Sequence, residues 1–441
     1  MPFDRVPREP QTDKLRILSH QFILSLPWTN TVLPIALPTV YLWVVDTFAL
    51  KRGTWVIEAG TKYGIHLWDG LEIEEAVFFL LTATLIVFGL VAFDNSMAIL
   101  NTFPHLFPGS SGMPSPLLAT KALLVPTSSY DGERISGLAQ ALQRLQRKSR
   151  SFYLASATFE GHLRTNLILL YSFCRVADDL VDESSSIAEA RDWIKKLRIF
   201  LTLSFPETAT NPDKAELRSF VLSNFPENSQ LALMHLPVSL LTLKPLRGLL
   251  DGFDMDLAFM SGPDAQNRWP IENEKALDRY GFGVAGTVAQ LCLDLVINLY
   301  AINTTEGSKL KDAGGLMGIA LQIINIARDI QVDAAMGRVY IPSTWLEENS
   351  VTPEDVLRDP SSVKVKALRS RLLDKAFGYY NEAKQALDEL PNEVRGPMRV
   401  AVESYVEIGR ILRQEHYQVK AGRATVPITR RLEVAWRALN T

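Results

Sequence analysis

Apolar positions along this chain fall into two regimes. Residues 76–93 read AVFFLLTATLIVFGLVAF, uncharged and diluted only by Thr82, Thr84 and Gly89. A run of that length spans a hydrocarbon core, so it predicts a transmembrane helix. Residues 31–50 form a second run, nearly as apolar, with Pro34, Pro38 and one acid, Asp46. Proline is tolerated in membrane helices, whereas an acid inside a span marks a functional candidate; beside Lys51 and Arg52, Asp46 reads first as a headgroup-level residue. The run 17–26 is too short to span and carries His20 and Gln21. From about residue 133 the period becomes that of amphipathic helices, over 135–148, 163–183, 187–203, 214–224, 240–259, 277–302, 310–333, 363–390 and 395–421. No alternating run bounded by hairpin turns interrupts them. The fold class is therefore all-α, a helical bundle behind an N-terminal membrane-spanning helical segment. Residues 103–131, rich in Pro, Ser and Gly, have the composition of a linker and divide the chain into 1–102, 103–131 and 132–441.

The opening MPFDRVPREPQTDK has no apolar core of a signal peptide. Two spans put both ends on one side, and Arg5, Arg8, Lys14 and Arg16 favour the cytosol. The expectation is a multi-pass, membrane-associated chain with its helical domain in the cytosol and membrane lipid as a partner. Charge narrows the partners: Lys and Arg number 46 against 49 Asp and Glu, a net −3, so no basic excess is available for a nucleic-acid backbone. The two cysteines, Cys174 and Cys292, exclude a disulfide framework and a thiolate zinc site.

Two helices concentrate acids. In YSFCRVADDLVDE, Tyr171, Arg175, Asp178 and Asp182 share one helical face, and in LQIINIARDIQVD so do Gln322, Asn325, Asp329 and Asp333. A single such pair is as readily a solvated stripe; two sets call for a cation between them. Carboxylates with open coordination positions suit Mg²⁺, which takes its remaining oxygens from water and substrate phosphates. Calcium would want more oxygens from one loop, and bundle di-iron sites would want Glu-x-x-His pairs, which are absent. A diphosphate ester bridged to two acidic helices is the natural ligand. In an apolar bundle this chemistry is ionisation of a prenyl diphosphate, whose allylic cation must be kept from water and can rest on aromatic faces. No G-x-G-x-x-G unit for a dinucleotide is visible, so no NADPH is expected.

SRSF (149–152), YSFCRVADDLVDE (171–183), YGFGVAGTV (280–288) and LQIINIARDIQVDAAMGRVYIP (321–342) together resemble the phytoene synthases of the squalene and phytoene synthase family, in the same order. The resemblance implies an isoprenoid-synthase-type bundle. It implies head-to-head condensation of two geranylgeranyl diphosphates to 15-cis-phytoene through a cyclopropyl diphosphate, with Mg²⁺ (or Mn²⁺ in its place), in carotenoid biosynthesis. Residue by residue it makes Asp178, Asp182, Asp329 and Asp333 metal ligands with Asn325 beside them. Arg150, Arg175, Arg328 and Arg338, with Gln322 and Asn325, would hold the diphosphate, and Tyr171 would assist. Arg328 reads equally as a partner of Asp329. Tyr280 matches a tyrosine near the rearranging cation, and its plainer reading is a core tyrosine. Gly283 stands where the family usually has a second tyrosine.

The membrane part is similar to the second lycopene-cyclase repeat of the fungal bifunctional lycopene cyclase/phytoene synthases. Glu72, Glu74 and Glu75 match its acidic motif, although they also read as an acidic helix start favoured by the dipole. One repeat where that family carries two leads us to expect residual or lost cyclase activity. The alternatives are a squalene or dehydrosqualene synthase acting on farnesyl diphosphate, and an inactive membrane-tethered assembly subunit. Chain-elongating prenyltransferases repeat DDxxD, which the second motif does not, and a terpene-cyclase metal motif is missing. Other carotenoid-pathway enzymes are the expected protein partners.

Overall fold

The computed structural model describes residues 26–58, 60, 63–107, 113–126, 129–206, 213–260, 269–414 and 426–440. The run 17–26 and the basic residues of the tail fall almost wholly outside them. The chain divides into two units, Met1–Ile135 and Ser136–Thr441.

In the N-terminal unit, α1 (Val32–Lys51) and α2 (Ile73–Thr102) are joined by a two-stranded antiparallel hairpin, β1 (His66–Trp68) and β2 (Leu71–Glu72). Gly70, at φ +87°, makes the tight turn between them, a conformation other residues rarely adopt. Both helices display apolar side chains on most of their surface, Leu37, Tyr41, Phe78, Leu85 and Leu90 each more than half exposed. That is the pattern of a helix solvated by lipid, and both are long and apolar enough to cross a membrane. Indoles gather at one end: Trp43 Nε1 donates to the Ala76 carbonyl at 2.9 Å, Trp68 Nε1 to Thr47 Oγ1 at 2.9 Å, and Trp55 Nε1 to Asp46 Oδ1 at 3.0 Å. Asp46, 2% exposed, is thus an enclosed acid with an indole partner. Glu72 occupies the N-cap position of α2, with Glu74 and Glu75 in its first turn. Within 103–131, expected as a linker, α3 (Pro116–Leu124) forms, with Pro116 at its first position and Ser115 accepting from the Leu118 N–H. Its Ala122 packs with Ile99, Leu100, Phe103 and Phe107, and Phe103 stacks on Tyr130 at 4.8 Å.

The second unit is helical throughout its described residues: α4 (Gly132–Lys148, starting in the first unit), α5 (Arg150–Ser156), α6 (Gly161–Asp182), α7 (Ile187–Ser204), α8 (Lys214–Asn224), α9 (Glu227–Met234), α10 (Leu243–Asp256), α11 (Glu274–Gly281), α12 (Thr287–Leu299), α13 (Thr304–Ala335), α14 (Ser343–Glu348), α15 (Pro353–Arg358), α16 (Val363–Ala383), α17 (Asn392–Leu412) and α18 (Ile428–Asn440). Side-chain caps start many of them, with Ser149, Ser186, Asp213, Asn273, Asn303 and Ser362 each accepting a backbone N–H of the first turn. In this unit periodicity missed α5, α9, α14, α15 and α18; α14 and α15 are under two turns long, and α15 owes its start to a full capping box at Thr352 and Asp355. Two large apolar cores and a small one at Ala155, Val400 and Ala438 lie among the unit's described residues. Of the large ones, one joins α6 to α10 and α12, the other joins α11, α13, α16 and α17, and α13 supplies Leu310 to the first and Met317 to Ala327 to the second.

The expected single helix over 277–302 is broken by a π turn, Phe282–Gly286, between α11 and α12. By length and composition Glu274–Leu299 would also cross a membrane. Here it belongs to the bundle: Leu277, Tyr280, Leu291 and Leu295 lie in the cores, and Asp278 pairs with Lys375 at 3.1 Å. Glycines set the spacing around the π turn. A Cβ on Gly318 would lie 2.5 Å from Gly286 Cα and 2.6 Å from the Ala285 oxygen, and one on Gly283 would lie 3.1 Å from Gly252 Cα. Backbones of α10, the π turn and α13 therefore touch directly, and the side chain usual at position 283 has no room.

Gly318→Ala is expected to lower the unfolding midpoint of the detergent-solubilised chain by an equivalent of about 1–3 kcal/mol, because backbone, unlike a side-chain tip, cannot swing aside. Gly378→Ala, in α16 with nothing within 4 Å of the added carbon, should raise it by about 0.5–1 kcal/mol. Thermal scans of the two variants check both signs.

Candidate active site

The site is built where α6 and α13 confront one another. On α6, Arg175 grips Asp178 at 2.8 Å and Asp179 at 2.5 Å. Lys148 also reaches Asp179, at 3.2 Å, so the second acid of the Asp178-Asp179 doublet is already engaged by two cations. On α13, Arg328 forks onto its neighbour Asp329, Nε at 2.8 Å and Nη2 at 2.6 Å, the bidentate geometry guanidinium favours. The pairing reading of Arg328 is thus realised in this structure. Asn325 Nδ2 donates to Gln322 Oε1 at 3.2 Å, and its Oδ1 accepts from the Tyr405 hydroxyl.

Two links draw the motifs together. Past the end of α13, Gly337 at φ +76° turns the chain so that the Arg338 N–H donates to the Asp333 carbonyl at 2.8 Å. Arg338 then reaches Asp182 at 3.2 Å, across to α6. Phe152, from the SRSF motif, stacks on Tyr405 at 5.5 Å and meets Tyr171 edge-on at 6.2 Å. These contacts connect Tyr171, Arg175, Asp178 and Asp182 with Gln322, Asn325 and Arg338, and Tyr280 joins them at one remove, through the stacked ring of Tyr340, whose phenol acts on Arg338; the Arg150 side chain lies outside the described residues. The Tyr280 hydroxyl donates to Asp256 Oδ2 at 3.2 Å, and Tyr340 donates to Oδ1 of the same carboxylate at 3.0 Å.

The charges are out of their ordinary ranges. Burial, reinforced by Asp182, pushes the Asp178 carboxyl up to about 6 against the pull of Arg175. Burial lifts Asp256 to about 7, although Arg338 pulls it down. The Tyr171 phenol rises to about 12, again chiefly through burial. Arg328 and Arg338 are held above the usual guanidinium value, since Asp329 for the one, and Tyr340 and Asp182 for the other, overcome the cost of burial.

Beside these groups opens a cavity of about 300 Å³. Val284, Val288, Met317 and Leu321 form apolar walls, Phe152 and Tyr405 add aromatic faces, and Gln322 and Asn325 are its amides. Among the described residues no three His, Cys, Asp or Glu side chains converge as a ready metal cage. The donor set is nevertheless all hard oxygen in separated pairs, which fits a divalent cation completed by phosphate and water. Arg175 Nε is buried with no hydrogen-bond partner among the described residues, a donor suited to an anion. Sequence reading assigned no role to Asp256, Tyr340 or Tyr405. Tyr340 stands inside a quoted motif, whereas Asp256 and Tyr405 reach the site only through tertiary contacts.

Residues 145–431 match the family described as squalene/phytoene synthase. The chain belongs to the squalene/phytoene synthase family. The synthase is 57% identical over 426 residues to a bifunctional lycopene cyclase/phytoene synthase of Pyrenophora tritici-repentis, covering 96% of this chain and 72% of that one. It is 47% identical over 436 residues to the protein of that name in Neurospora crassa, covering 96% and 72%. Both matches are longer than the second unit, so they include the membrane-type helices. A solved dehydrosqualene synthase in complex with a ligand superposes with a TM-score of 0.54 at 22% identity, over 69% of this chain and 96% of that one, which shows a common fold. The synthase is thus an all-α bundle of the isoprenoid-synthase type and a prenyltransferase.

The raised Asp178 carboxyl fixes the sign of a pH effect. The folded, metal-free protein takes up this proton near pH 6 and the unfolded chain only near the ordinary carboxylate value of 3.8. Ionised Asp178 therefore costs stability above that window, and the cost disappears as the pH falls through it. With chelator present, Asp178→Asn should raise the melting temperature at about pH 7.5, with a gain that shrinks toward about pH 5. A lower melting temperature at the higher pH would show that the Arg175 pair outweighs burial.

Proposed function

We propose that the chain condenses two geranylgeranyl diphosphates head to head, through a cyclopropyl diphosphate, to phytoene, using Mg²⁺ and no nicotinamide. The family is that of squalene/phytoene synthases, and the relatives matched over nearly the whole chain are named as lycopene cyclase/phytoene synthases, which supports phytoene formation in carotenoid biosynthesis. The observation that supports it most is the pairing of two acid-and-arginine faces, joined by Arg338 and Asp182, with an apolar, aromatic-walled cavity.

Asp178, Asp182, Asp329 and Asp333, with Asn325, would hold Mg²⁺, which when bound neutralises the leaving diphosphate. Arg175, Arg328 and Arg338, with Arg150 as expected from its motif, take diphosphate oxygens, and Gln322 and Tyr171 border them. Arg175, Arg328 and Arg338 sit on Asp178, Asp329 and Asp182 here, so each guanidinium would turn from its carboxylate to phosphate when the carboxylates hold the ion. Leu321, Met317 and the π-turn residues Val284 and Ala285 exclude water from the allylic cation, and Phe152 and Tyr405 offer it ring faces. Two apolar helices in the first unit serve as the membrane attachment, where the C20 substrate and C40 product dissolve.

Asp178→Asn and Asp329→Asn should each reduce turnover by at least about a thousandfold while circular dichroism stays helical, since Asn keeps the volume and loses the anion. Near-normal rates at saturating Mg²⁺ in either variant would exclude the two-face arrangement. With geranylgeranyl diphosphate and Mg²⁺ alone, product analysis should find phytoene. Turnover only with NADPH, or only with farnesyl diphosphate, would instead mark a squalene-type enzyme, and no turnover with either would mark an assembly subunit. A chain truncated to begin near Tyr130 should stay soluble and active while the full chain sediments with membranes.

A further inference from the structure

Asp256 is the last residue of α10, where the helix dipole disfavours an anion. Both of its oxygens are nevertheless served by phenols from two other segments, Tyr280 on α11 and Tyr340 beyond α13. The two rings lie nearly parallel, 5.1 Å apart, and Phe259 meets Tyr340 edge-on at 4.8 Å. Tyr280 and Tyr340 are 4% and 7% exposed. For packing alone, two phenylalanines and a leucine would fill this space without the cost of enclosing three polar groups.

The cluster's connections argue for more. Tyr280 stands two residues ahead of the π turn whose Val284 and Ala285 line the cavity. Tyr340 stands two residues beyond Arg338, the residue that holds Asp182. One hydrogen-bonded group thus links the cavity wall to the acidic face. With both hydroxyl hydrogens committed to the carboxylate, each phenol oxygen turns its lone pairs away from Asp256, and neither hydroxyl can move off without breaking a bond.

We propose that Asp256 is a positioning residue of the condensation, fixing the hydroxyls of Tyr280 and Tyr340 so that their oxygens and ring faces meet the allylic cation next to the diphosphate. It acts through the tyrosines and rests on the prenyl diphosphate reading above. Preorganised dipoles of this kind act on developing charge and not on ground-state binding.

The test uses the full-length chain in detergent with geranylgeranyl diphosphate and Mg²⁺. Asp256→Asn presents only one acceptor oxygen and so releases one phenol. It should lower kcat about tenfold or more and leave KM within about threefold, because Arg338 keeps its bond to Asp182 and Arg175 and Arg328 keep their own carboxylate partners. Tyr280→Phe should cost little further in the Asp256→Asn background, whereas independent contributions would multiply. Asp256→Glu, which keeps both oxygens, should recover part of the loss, and all variants should bind an unreactive thiodiphosphate analogue as tightly as wild type. Should Asp256→Asn not fold, Tyr340→Phe, which deletes one hydroxyl and no ring, carries the same kcat-against-KM comparison. An unchanged kcat, multiplying losses, or loss of analogue binding would each overturn the proposal. No turnover by the wild-type chain would defeat the prenyl diphosphate reading itself, and this proposal with it, whereas an active wild type with an indifferent Asp256→Asn defeats this proposal alone.

Discussion

Confronting carboxylates inside a greasy bundle is the constraint on which the rest of this structure depends. Two acids on each of two helices, facing one another in a low dielectric, would drive the helices apart were nothing cationic between them. The protein answers with guanidinium: Arg175 on one face, Arg328 on the other, and Arg338 bridging to Asp182. Each of these arginines comes from the motif that carries the acids or from the turn just beyond it, so every motif brings its own counter-charge. The site resembles a loaded ion exchanger more than an empty cage.

Much of this was legible in the sequence because the chemistry is local. Asp178 and Asp182, or Asn325, Asp329 and Asp333, are fixed on one face by helical spacing alone, and a bundle was the natural reading of one amphipathic segment after another. The gap between two spans and a long helical domain was equally plain in composition. What spacing could not convey was partner choice across the fold. Asp179 looks equivalent to Asp178, yet Lys148 of another helix also claims it. Tyr405 lies 80 positions from Asn325 and meets it only after α13 and α17 have packed. Nor does the helix pattern around Asp46 say anything about Trp55 folding back over it.

The stretch 103–131 and the π turn are instructive in opposite ways. Pro, Ser and Gly announced a connector, but Pro and Ser are also what begins a helix, and α3 uses them so. The π turn interrupts an apolar run with no proline to warn of it, and only the glycines at 283 and 286 hint that another backbone passes close by.

Those glycine contacts determine which wall of the cavity is able to yield. Where α10, the π turn and α13 touch backbone to backbone, little space is left for a side chain to change rotamer, and the three pieces resist moving apart. A C40 hydrocarbon must nevertheless leave a chamber that closes around its precursors. The compliant wall is the opposite one, where Phe152, Met398, Val402 and Tyr405 meet the cavity with side chains alone. Phe152 on α5 and Tyr405 on α17 are the rings placed to make room on that side, with the glycine-packed side as the fixed jamb of the door.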